Sequence, residues 1–432
     1  MEFCNIPFTQ LMLECEATFK AGIYFKNWGN KNYFHNVTHY NDQKFGQNRI
    51  HYEKLILDNK PLHSKFTSNS EIPVEYIQRN GVNVNNNLPA NQFHFNSLKL
   101  IKYLHEYTEM IGNNVYTDDI KDVILNEKGE IDKLKGEKQE YDYDFYIDCT
   151  GFNKLLISKL GAKWNSYSEY LTMNSAIVFP TDSEENYKMY TTAEAMNNGW
   201  RFEIPVQSRR GNGYIFNDNY TTPDIAKKEI EELFGHEIDV KKVLSFDPGA
   251  VDKFWIKNCV AMGLSGSFVE PLEATSIGTT IQQSFLLMHY LINYNDKNIE
   301  KYNNSINNVM QNIRDFVQLH YITDREDTLF WKEIKDIKIT DSLKEKLELW
   351  NERLPISEDF NKDSDYVLFK DPNFIQVLYG LNMIDTDKLK IMHEYHPKQV
   401  QLNLKSLLDN VEREEKTTDT ISHRKFVEIF SL

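Results

Sequence analysis

One segment constrains the fold more than any other: an apolar strand that passes through small residues into a helix, at residues 258–278. Its sequence is NCVAMGLSGSFVEPLEATSIG. Small residues at 263–267 permit a ligand to approach the backbone closely. Free N–H groups at the start of the following helix favour an anion or a polarised oxygen. The segment therefore predicts a strand-loop-helix unit that binds a ligand.

Two carboxylates, Glu270 and Glu273, flank Pro271 in this segment. In a closed pocket, desolvation raises the pKa of such a group enough to permit proton transfer. Most glutamates are solvated or cap helices. When this pair is considered without the surrounding residues, that simpler interpretation is favoured.

Charge and length exclude several classes of protein. The 432 residues include 49 basic and 64 acidic side chains, and the net charge of −15 argues against a broad nucleic-acid-binding surface. No apolar run of about 18 residues predicts a membrane helix, and the first residues lack the pattern of a signal peptide. We therefore expect a cytoplasmic protein without a membrane partner, built from two coupled lobes.

Cysteine and glycine usage exclude common cofactor motifs. Cys4, Cys15, Cys149 and Cys259 form no Cys-x-x-Cys pair, so we expect buried small hydrophobes and predict no metal site. The chain has only 18 glycines and contains neither Gly-x-Gly-x-x-Gly nor a P-loop. The nearest match, at 211–213, lies between strand-like runs and is interpreted as a hairpin turn.

Periodicity predicts an α/β fold. The predicted elements are a helix at 96–111, a hairpin over 120–135, an antiparallel sheet at about 165–220, helices at 222–235 and 277–292, and mostly helices after 299. We expect the sheet to roof a ligand pocket within a first lobe at 1–295. A mostly helical second lobe would span 296–432.

Short motifs along the chain follow the order found in a known family. They are FKAGI (19–23), FKNW (25–28), FHFN (93–96), DCTGF (148–152), GWRFEIP (199–205), EPLEATSI (270–277), REDTLFW (325–331) and, more weakly, NFIQVLYG (373–380). This series resembles the flavin-dependent tryptophan halogenase family. The resemblance implies that residues 1–295 form a flavin-monooxygenase-like FAD-binding lobe and that residues 296–432 form a mostly helical substrate lobe.

The resemblance also implies a reaction and its partners. Reduced FAD (FADH2) and oxygen would oxidise a halide such as chloride, and hypohalous acid would attack tryptophan or another electron-rich aromatic. A flavin reductase would supply the FADH2. The resemblance leaves open whether the protein is a monomer or a homodimer.

Residue roles follow from the same resemblance. Glu273 matches the acid that assists electrophilic substitution and deprotonates the ring. Thr275 and Ser276 match the halide-binding pair, although Ala274 and Ser276 replace the usual Ser and Gly. His35 matches a histidine that stacks on the substrate indole; without the family match, a surface loop histidine would be favoured.

The flavin is expected to contact residues of three motifs, namely Asp148, Gly151, Phe152, Gly263, Pro271 and Ile277. On the residue pattern alone, Asp148 and Gly151 equally fit a strand end with a turn. In the GWRFEIP motif, Phe202 replaces the family's second tryptophan.

The start of the chain departs from the family. Family members carry an initial strand, a Gly-x-Gly-x-x-Gly loop and an essential lysine before the residues that match Met1 to Ile6. We therefore expect the first βαβ unit to be absent, the lysine to fall upstream of Met1, and no other lysine to take its place. Three functions stay open: a halogenase, a descendant that binds an aromatic ligand or a partner without FAD, and a flavin-dependent hydroxylase.

Overall fold

The computed structural model describes residues 6–37, 50–74, 90, 92–360 and 366–429. Its helices are α1 (Phe8–Glu14), α2 (Ile50–Leu57), α3 (Lys65–Asn69), α4 (Ser97–Met110), α5 (Leu155–Lys159), α6 (Pro223–Phe234), α7 (Thr275–Leu291), α8 (Asp296–Leu319), α9 (Leu329–Ile334), α10 (Asp341–Trp350), α11 (Asp371–Gly380), α12 (Thr386–Glu394), α13 (Lys398–Thr417) and α14 (His423–Glu428). Within these residues, no helix combines the length and the apolar character that crossing a membrane requires.

The strands are short except in one central sheet. They are β1 (Thr18–Lys20), β2 (Gly22–Lys26), β3 (Tyr33–Asn36), β4 (Glu71–Pro73), β5 (Gln92–His94), β6 (Ile120–Leu125), β7 (Ile131–Gly136), β8 (Glu140–Tyr141), β9 (Tyr146–Asp148), β10 (Trp164–Ser166), β11 (Ser175–Asp182), β12 (Tyr190–Met196), β13 (Gly199–Pro205), β14 (Arg209–Phe216), β15 (Lys242–Ser245), β16 (Gly249–Val251), β17 (Trp255–Ile256), β18 (Cys259–Ala261), β19 (Ser267–Phe268) and β20 (Thr420–Ser422). Short 3-10 turns occupy Gly151–Asn153, Gly263–Ser265, Pro271–Glu273 and Ser357–Phe360.

The central sheet has seven strands in the order β15-β11-β14-β13-β12-β2-β3. The predicted antiparallel segment forms its middle, and the sheet also recruits β2 and β3 from the start of the chain. Because β2 pairs with β12 in parallel, the sheet is mixed rather than purely antiparallel. This addition brings the motif around His35 to one edge of the sheet.

The hairpin turn predicted at 211–213 is wrong, because these residues lie inside β14. The chain instead turns before that strand, where Val206 donates its N–H to the carbonyl of Arg209. A Cβ at Gly213 would lie 2.5 Å from the ring of Phe202 on the neighbouring strand. The glycine is therefore needed for the close approach of an aromatic ring, not for a turn.

Several predicted elements are confirmed. Helix α4 follows Asn96, and helix α6 begins at Thr222, whose hydroxyl accepts the N–H of Ile225. Helix α6 ends at Gly235 with φ of 74°, where a left-handed residue commonly stops a helix. The hairpin of β6 and β7 forms as expected around its glycine turn.

The apolar stripe at 277–292 is helical as predicted, but it faces outward. Ile277, Ile281 and Phe285 are each just over half exposed. The buried face of α7 consists of other residues, namely Thr275, Thr279, Gln283, Leu286 and Leu287. Helix α4 likewise buries none of its residues. Periodicity located both helices but not the face that each one packs.

The largest apolar core includes residues on both sides of position 295. For example, the ring of Trp255 packs edge-on against Tyr302 of α8, with centroids 5.4 Å apart. The division into lobes 1–295 and 296–432 stays a prediction.

The cysteines follow the expectation in part. Cys15 and Cys259 are buried, as expected of small apolar side chains, whereas Cys149 is exposed. The expectation is therefore wrong for Cys149, which follows the end of strand β9 at the surface. Cys4 lies outside the described residues.

Candidate active site

A buried carboxylate, Glu273, lies at the end of the short 3-10 turn that precedes α7. Pro271 begins the turn at the surface, and Glu273 ends it with a side chain that is fully enclosed. The next residue, Ala274, takes the left-handed conformation with φ of 53° and starts the helix. This sharp change of direction separates an inward carboxylate from a solvent-facing helix start.

Two histidines from distant parts of the chain hold this carboxylate. Nδ1 of His35, on β3, lies 2.7 Å from Oε2 of Glu273. Nε2 of His320, just after α8, lies 2.9 Å from Oε1, although this contact is not aligned as a hydrogen bond. The opposite nitrogen of His320, Nδ1, lies 2.8 Å from the hydroxyl of Tyr33. The side chains of His35, His320 and Tyr33 are all buried.

The tautomer of His35 follows from its second neighbour. The backbone N–H of Lys370 donates to Oδ1 of Asn373, which orients the amide so that Nδ2 faces His35. That NH2 group lies 2.9 Å from Nε2 of His35 and donates to it. His35 therefore carries its proton on Nδ1 and donates it to Glu273.

Burial and the two imidazoles act on Glu273 in opposite directions. Burial acts to raise the pKa, but the contacts with His35 and His320 outweigh it and lower the pKa of Glu273 to about 2. Burial lowers the pKa of His320 and raises that of Tyr33 well above its usual value. Glu273 is therefore a carboxylate at neutral pH and able to accept a proton from a strong acid.

A buried lysine also lies within the electrostatic reach of Glu273. Lys20 ends strand β1, and burial lowers its pKa to about 8, while the charge of Glu273 acts to raise it. On the neighbouring strand β5, burial lowers the pKa of His94, and the charge of Lys20 lowers it further. The expectation that no lysine within this chain accompanies the site is wrong.

Aromatic rings line the surroundings of the two histidines. The ring of His35 lies 5.1 Å from Phe316 and 6.0 Å from Phe369. The ring of His320 stacks on Phe25 at 4.4 Å. The two ring nitrogens of His35 contact Glu273 and Asn373. The role of His35 in stacking on a substrate stays a prediction.

A second buried carboxylate, Glu270, precedes the same turn. Its Oε2 accepts hydrogen bonds from the indole N–H of Trp200 at 3.0 Å and the hydroxyl of Tyr321 at 2.7 Å. Its Oε1 has no hydrogen-bond partner among the described residues. Burial raises the pKa of Glu270 to about 7, although both donors act to lower it. Glu270 and Glu273 are three residues apart, yet their pKa values are shifted in opposite directions.

The predicted halide residues form the first turn of α7. Thr275 is buried and Ser276 is exposed. The N–H groups of a first helical turn lack intrahelical partners, and Ala274 at the N-cap position offers no side-chain acceptor for them. These N–H groups and the helix dipole favour an anion at this end of the 17-residue helix.

Among the predicted flavin residues, Asp148 and Gly151 lie beside the turn that starts at Gly263, because Ser265 of that turn donates to both. The carboxylate of Asp148 accepts from Thr150, from the N–H groups of Leu156 and Ile157, and from Ser265. It therefore organises loop and helix starts through protein donors. Its contact with a flavin stays a prediction.

Two glycines leave an open surface beside this loop. Gly151 has φ of 70°, with no atom within 4 Å of where a Cβ would stand, and Gly263 has φ of 59°. Ser265 joins the two turns by donating to the carbonyl of Gly151 at 3.2 Å. Phe152, next to Gly151, and Ile277, in the first turn of α7, are each about half exposed.

Three residues of the site were missed in the sequence, namely Lys20, His320 and Asn373. Lys20 stands within the otherwise largely apolar run of residues 18–25, which is a signal for a buried charge. His320 continues the apolar helical face of Ile313 and Phe316. Asn373 opens the weak motif NFIQVLYG, but its contact with His35 depends on long-range packing that this motif does not predict.

The chain is similar in sequence and fold to known proteins. The family model described as tryptophan halogenase matches residues 1–397. A 7-chloro-L-tryptophan 6-halogenase from Kutzneria sp. (strain 744) is 31% identical over 402 residues, which cover 83% of this chain and 76% of that protein. A tryptophan 7-halogenase from Lentzea aerocolonigenes is 25% identical over 91% of this chain and 81% of its own length.

Solved structures share the fold. The tryptophan 6-halogenase from Streptomyces toxytricini superposes with a TM-score of 0.85 at 24% identity, over 99% of this chain and 89% of that chain. A tryptophan C-6 flavin-dependent halogenase (chlorinase) from taromycin biosynthesis gives 0.84 at 25% identity, over 100% of this chain and 89% of that chain. On the strength of the family model and of the relatives over most of their length, this chain belongs to the family of flavin-dependent tryptophan halogenases.

Proposed function

We propose that this chain halogenates the ring of tryptophan or another electron-rich indole, using halide, oxygen and FADH2 from a separate flavin reductase. The observation that carries the proposal is the buried Glu273 carboxylate between His35 and His320, within the field of Lys20. Family membership supports the flavin and halide chemistry, and the activities of the relatives, a 7-chloro-L-tryptophan 6-halogenase and a tryptophan 7-halogenase, support tryptophan as the substrate class.

The residues around the Gly151 turn fit the ring end of a flavin. A ring can approach the backbone at Gly151 because the space where a Cβ would stand is open, and the turn at Gly263–Ser265 is joined to Gly151 by the hydroxyl of Ser265. The exposed Phe152 and Ile277 offer apolar contacts there. Bound FAD would supply the oxidation of halide, and the first turn of α7, at Thr275 and Ser276, would hold the halide beside it.

Glu273 and Lys20 have complementary tasks in the substitution. The arene carbon attacks the halogen of hypohalous acid, so that the carbon–halogen bond forms as the halogen–oxygen bond breaks. The Lys20 ammonium donates a proton to the departing hydroxide, which leaves as water. Glu273 takes the ring proton, and its transfer back to Lys20 restores both groups. A carboxylate with a pKa of about 2 suffices because the protonated ring is a far stronger acid.

The test supplies FAD, a flavin reductase with NADH, chloride or bromide, and a panel of tryptophan and other indoles. A product whose mass gains one halogen and depends on the halide supports the proposal. An oxygenated product formed without halide would point to a hydroxylase instead.

A titration of FAD, followed by flavin fluorescence, separates loss of cofactor binding from loss of chemistry. Micromolar binding corresponds to about −8 kcal/mol and is expected here. The 432 residues contain no Gly-x-Gly-x-x-Gly. Failure to bind FAD together with retained binding of an indole would favour the alternative function, an aromatic-ligand-binding protein.

A further inference from the structure

A second cluster of metal-ligating side chains lies outside the candidate active site, between α2 and the end of α12. Glu53 projects from α2, His393 lies in the last turn of α12, and His396 follows in the turn before α13. Oε2 of Glu53 lies 3.1 Å from Nδ1 of His393 and 2.9 Å from Nε2 of His396. The three atoms all lie within 4.8 Å of one another.

The burial of this cluster creates an unbalanced charge. The side chain of Glu53 is 5% exposed, that of His393 is 11% exposed, and that of His396 is 35% exposed. Within the described part of the chain, Glu53 contacts these two imidazoles and neither a lysine nor an arginine. A buried carboxylate needs a compensating positive charge, which either a protonated imidazole or a metal ion can supply.

The donor set matches a late first-row divalent metal. Imidazole nitrogens and a carboxylate oxygen are common zinc ligands, with bonds of about 2.0–2.2 Å, so tetrahedrally arranged donors lie about 3.3 Å apart. The two separations between the carboxylate oxygen and the imidazole nitrogens, 3.1 and 2.9 Å, need a small outward movement to admit an ion, and all the ligand atoms already lie within 4.8 Å of one another. The partly exposed His396 leaves one side of the cluster open to water as a fourth ligand.

We propose that Glu53, His393 and His396 form a zinc-binding site that joins α2 to the α12–α13 turn. Apolar side chains beneath it already pack these segments together, among them Ile56 and Leu389. The bound ion would clamp two parts of the chain that are more than 300 residues apart in sequence. The site is structural, and it does not depend on the proposed halogenation.

The test uses the full chain, freed of metal with a chelator and then titrated with Zn²⁺ by calorimetry. We expect one Zn²⁺ per chain with a micromolar or lower Kd, and a higher melting temperature with Zn²⁺. Co²⁺ in place of Zn²⁺ should give the visible absorption of a four-coordinate site. His396→Gln, at the most exposed position, should weaken binding at least tenfold, and the H393A/H396Q pair more strongly.

The control is His105→Gln, which changes an exposed histidine on α4 and should leave Zn²⁺ binding unchanged. Binding that is weaker than about 100 μM in the parent chain would overturn the proposal. So would an affinity that His396→Gln and the paired variant leave unchanged. In either case the three side chains form a hydrogen-bonded cluster that holds no metal ion. Circular dichroism verifies that each variant is folded.

Discussion

Replacing Glu270 with glutamine should stabilise the protein at neutral and basic pH. In the folded state, burial favours the protonated form of Glu270 and raises its pKa from 4.5 to about 7. At 1.36 kcal/mol per pKa unit, the ionised side chain costs about 3 kcal/mol of stability at pH 8. Glutamine keeps one oxygen for Trp200 and Tyr321 but carries no charge, and its unpaired NH2 group subtracts about 1 kcal/mol from the gain.

The sign of the pH dependence follows from the raised pKa. Between pH 4.5 and 7 the folded protein binds more protons at this site than the unfolded chain, so stability falls as the pH rises through this window. The cost of the wild-type carboxylate should therefore be about 1 kcal/mol at pH 5 and about 3 kcal/mol at pH 8.

Urea unfolding of both proteins at pH 5 and pH 8, followed by tryptophan fluorescence, measures this difference. Glu127→Gln, at an exposed position, is the matched control and should change the unfolding free energy by less than about 0.5 kcal/mol. An equal effect of Glu270→Gln at both pH values would refute the reasoning.

Three further predictions concern the site. Lys20→Met should abolish halogenation yet raise the unfolding free energy by about 3 kcal/mol at pH 7, because the pKa of Lys20 falls from 10.5 to about 8 on folding. This gain in stability should shrink as the pH rises from 8 to above 10, and a destabilised variant would contradict the account. Ser276→Gly removes a side chain from the first turn of α7 and should lower the KM for chloride several-fold; an unchanged halide KM would argue against a halide there. His320→Asn should move the acid limb of the kcat–pH profile to higher pH, because one group that lowers the pKa of Glu273 is lost. His320→Gln should move this limb less. Profiles of both variants equal to that of the wild type would exclude this role of His320.

Local sequence patterns located the turn that carries Glu273 but not its surroundings. The run from 258 to 278 predicted a strand, a loop and a helix, and β18, the 3-10 turns and α7 follow that order. The burial of Glu273 depends on His35 and His320, which are 238 and 47 positions away. Such distances lie beyond the reach of periodicity. Only the resemblance identified Glu273 in advance.

Lys20 shows how a local signal can be overlooked. The run TFKAGIYF places one lysine among largely apolar residues, and a buried charge in such a run commonly has a functional partner. The resemblance assigned the essential lysine to a position upstream of Met1, which left Lys20 without a predicted role. The exposed stripe of α7 shows the opposite error, since helical periodicity reveals an apolar face but not which face the fold buries.

The central claim is that the Glu273 carboxylate accepts the ring proton of the substrate. The most direct test compares the rate of halogenated product for wild type and Glu273→Gln under identical FADH2, halide and tryptophan supply, with Glu270→Gln as the neighbouring buried-carboxylate control. The account predicts a loss of at least about 100-fold for Glu273→Gln, with folding and substrate affinity retained, and less than about tenfold for Glu270→Gln. Turnover of Glu273→Gln within a few-fold of wild type would contradict it.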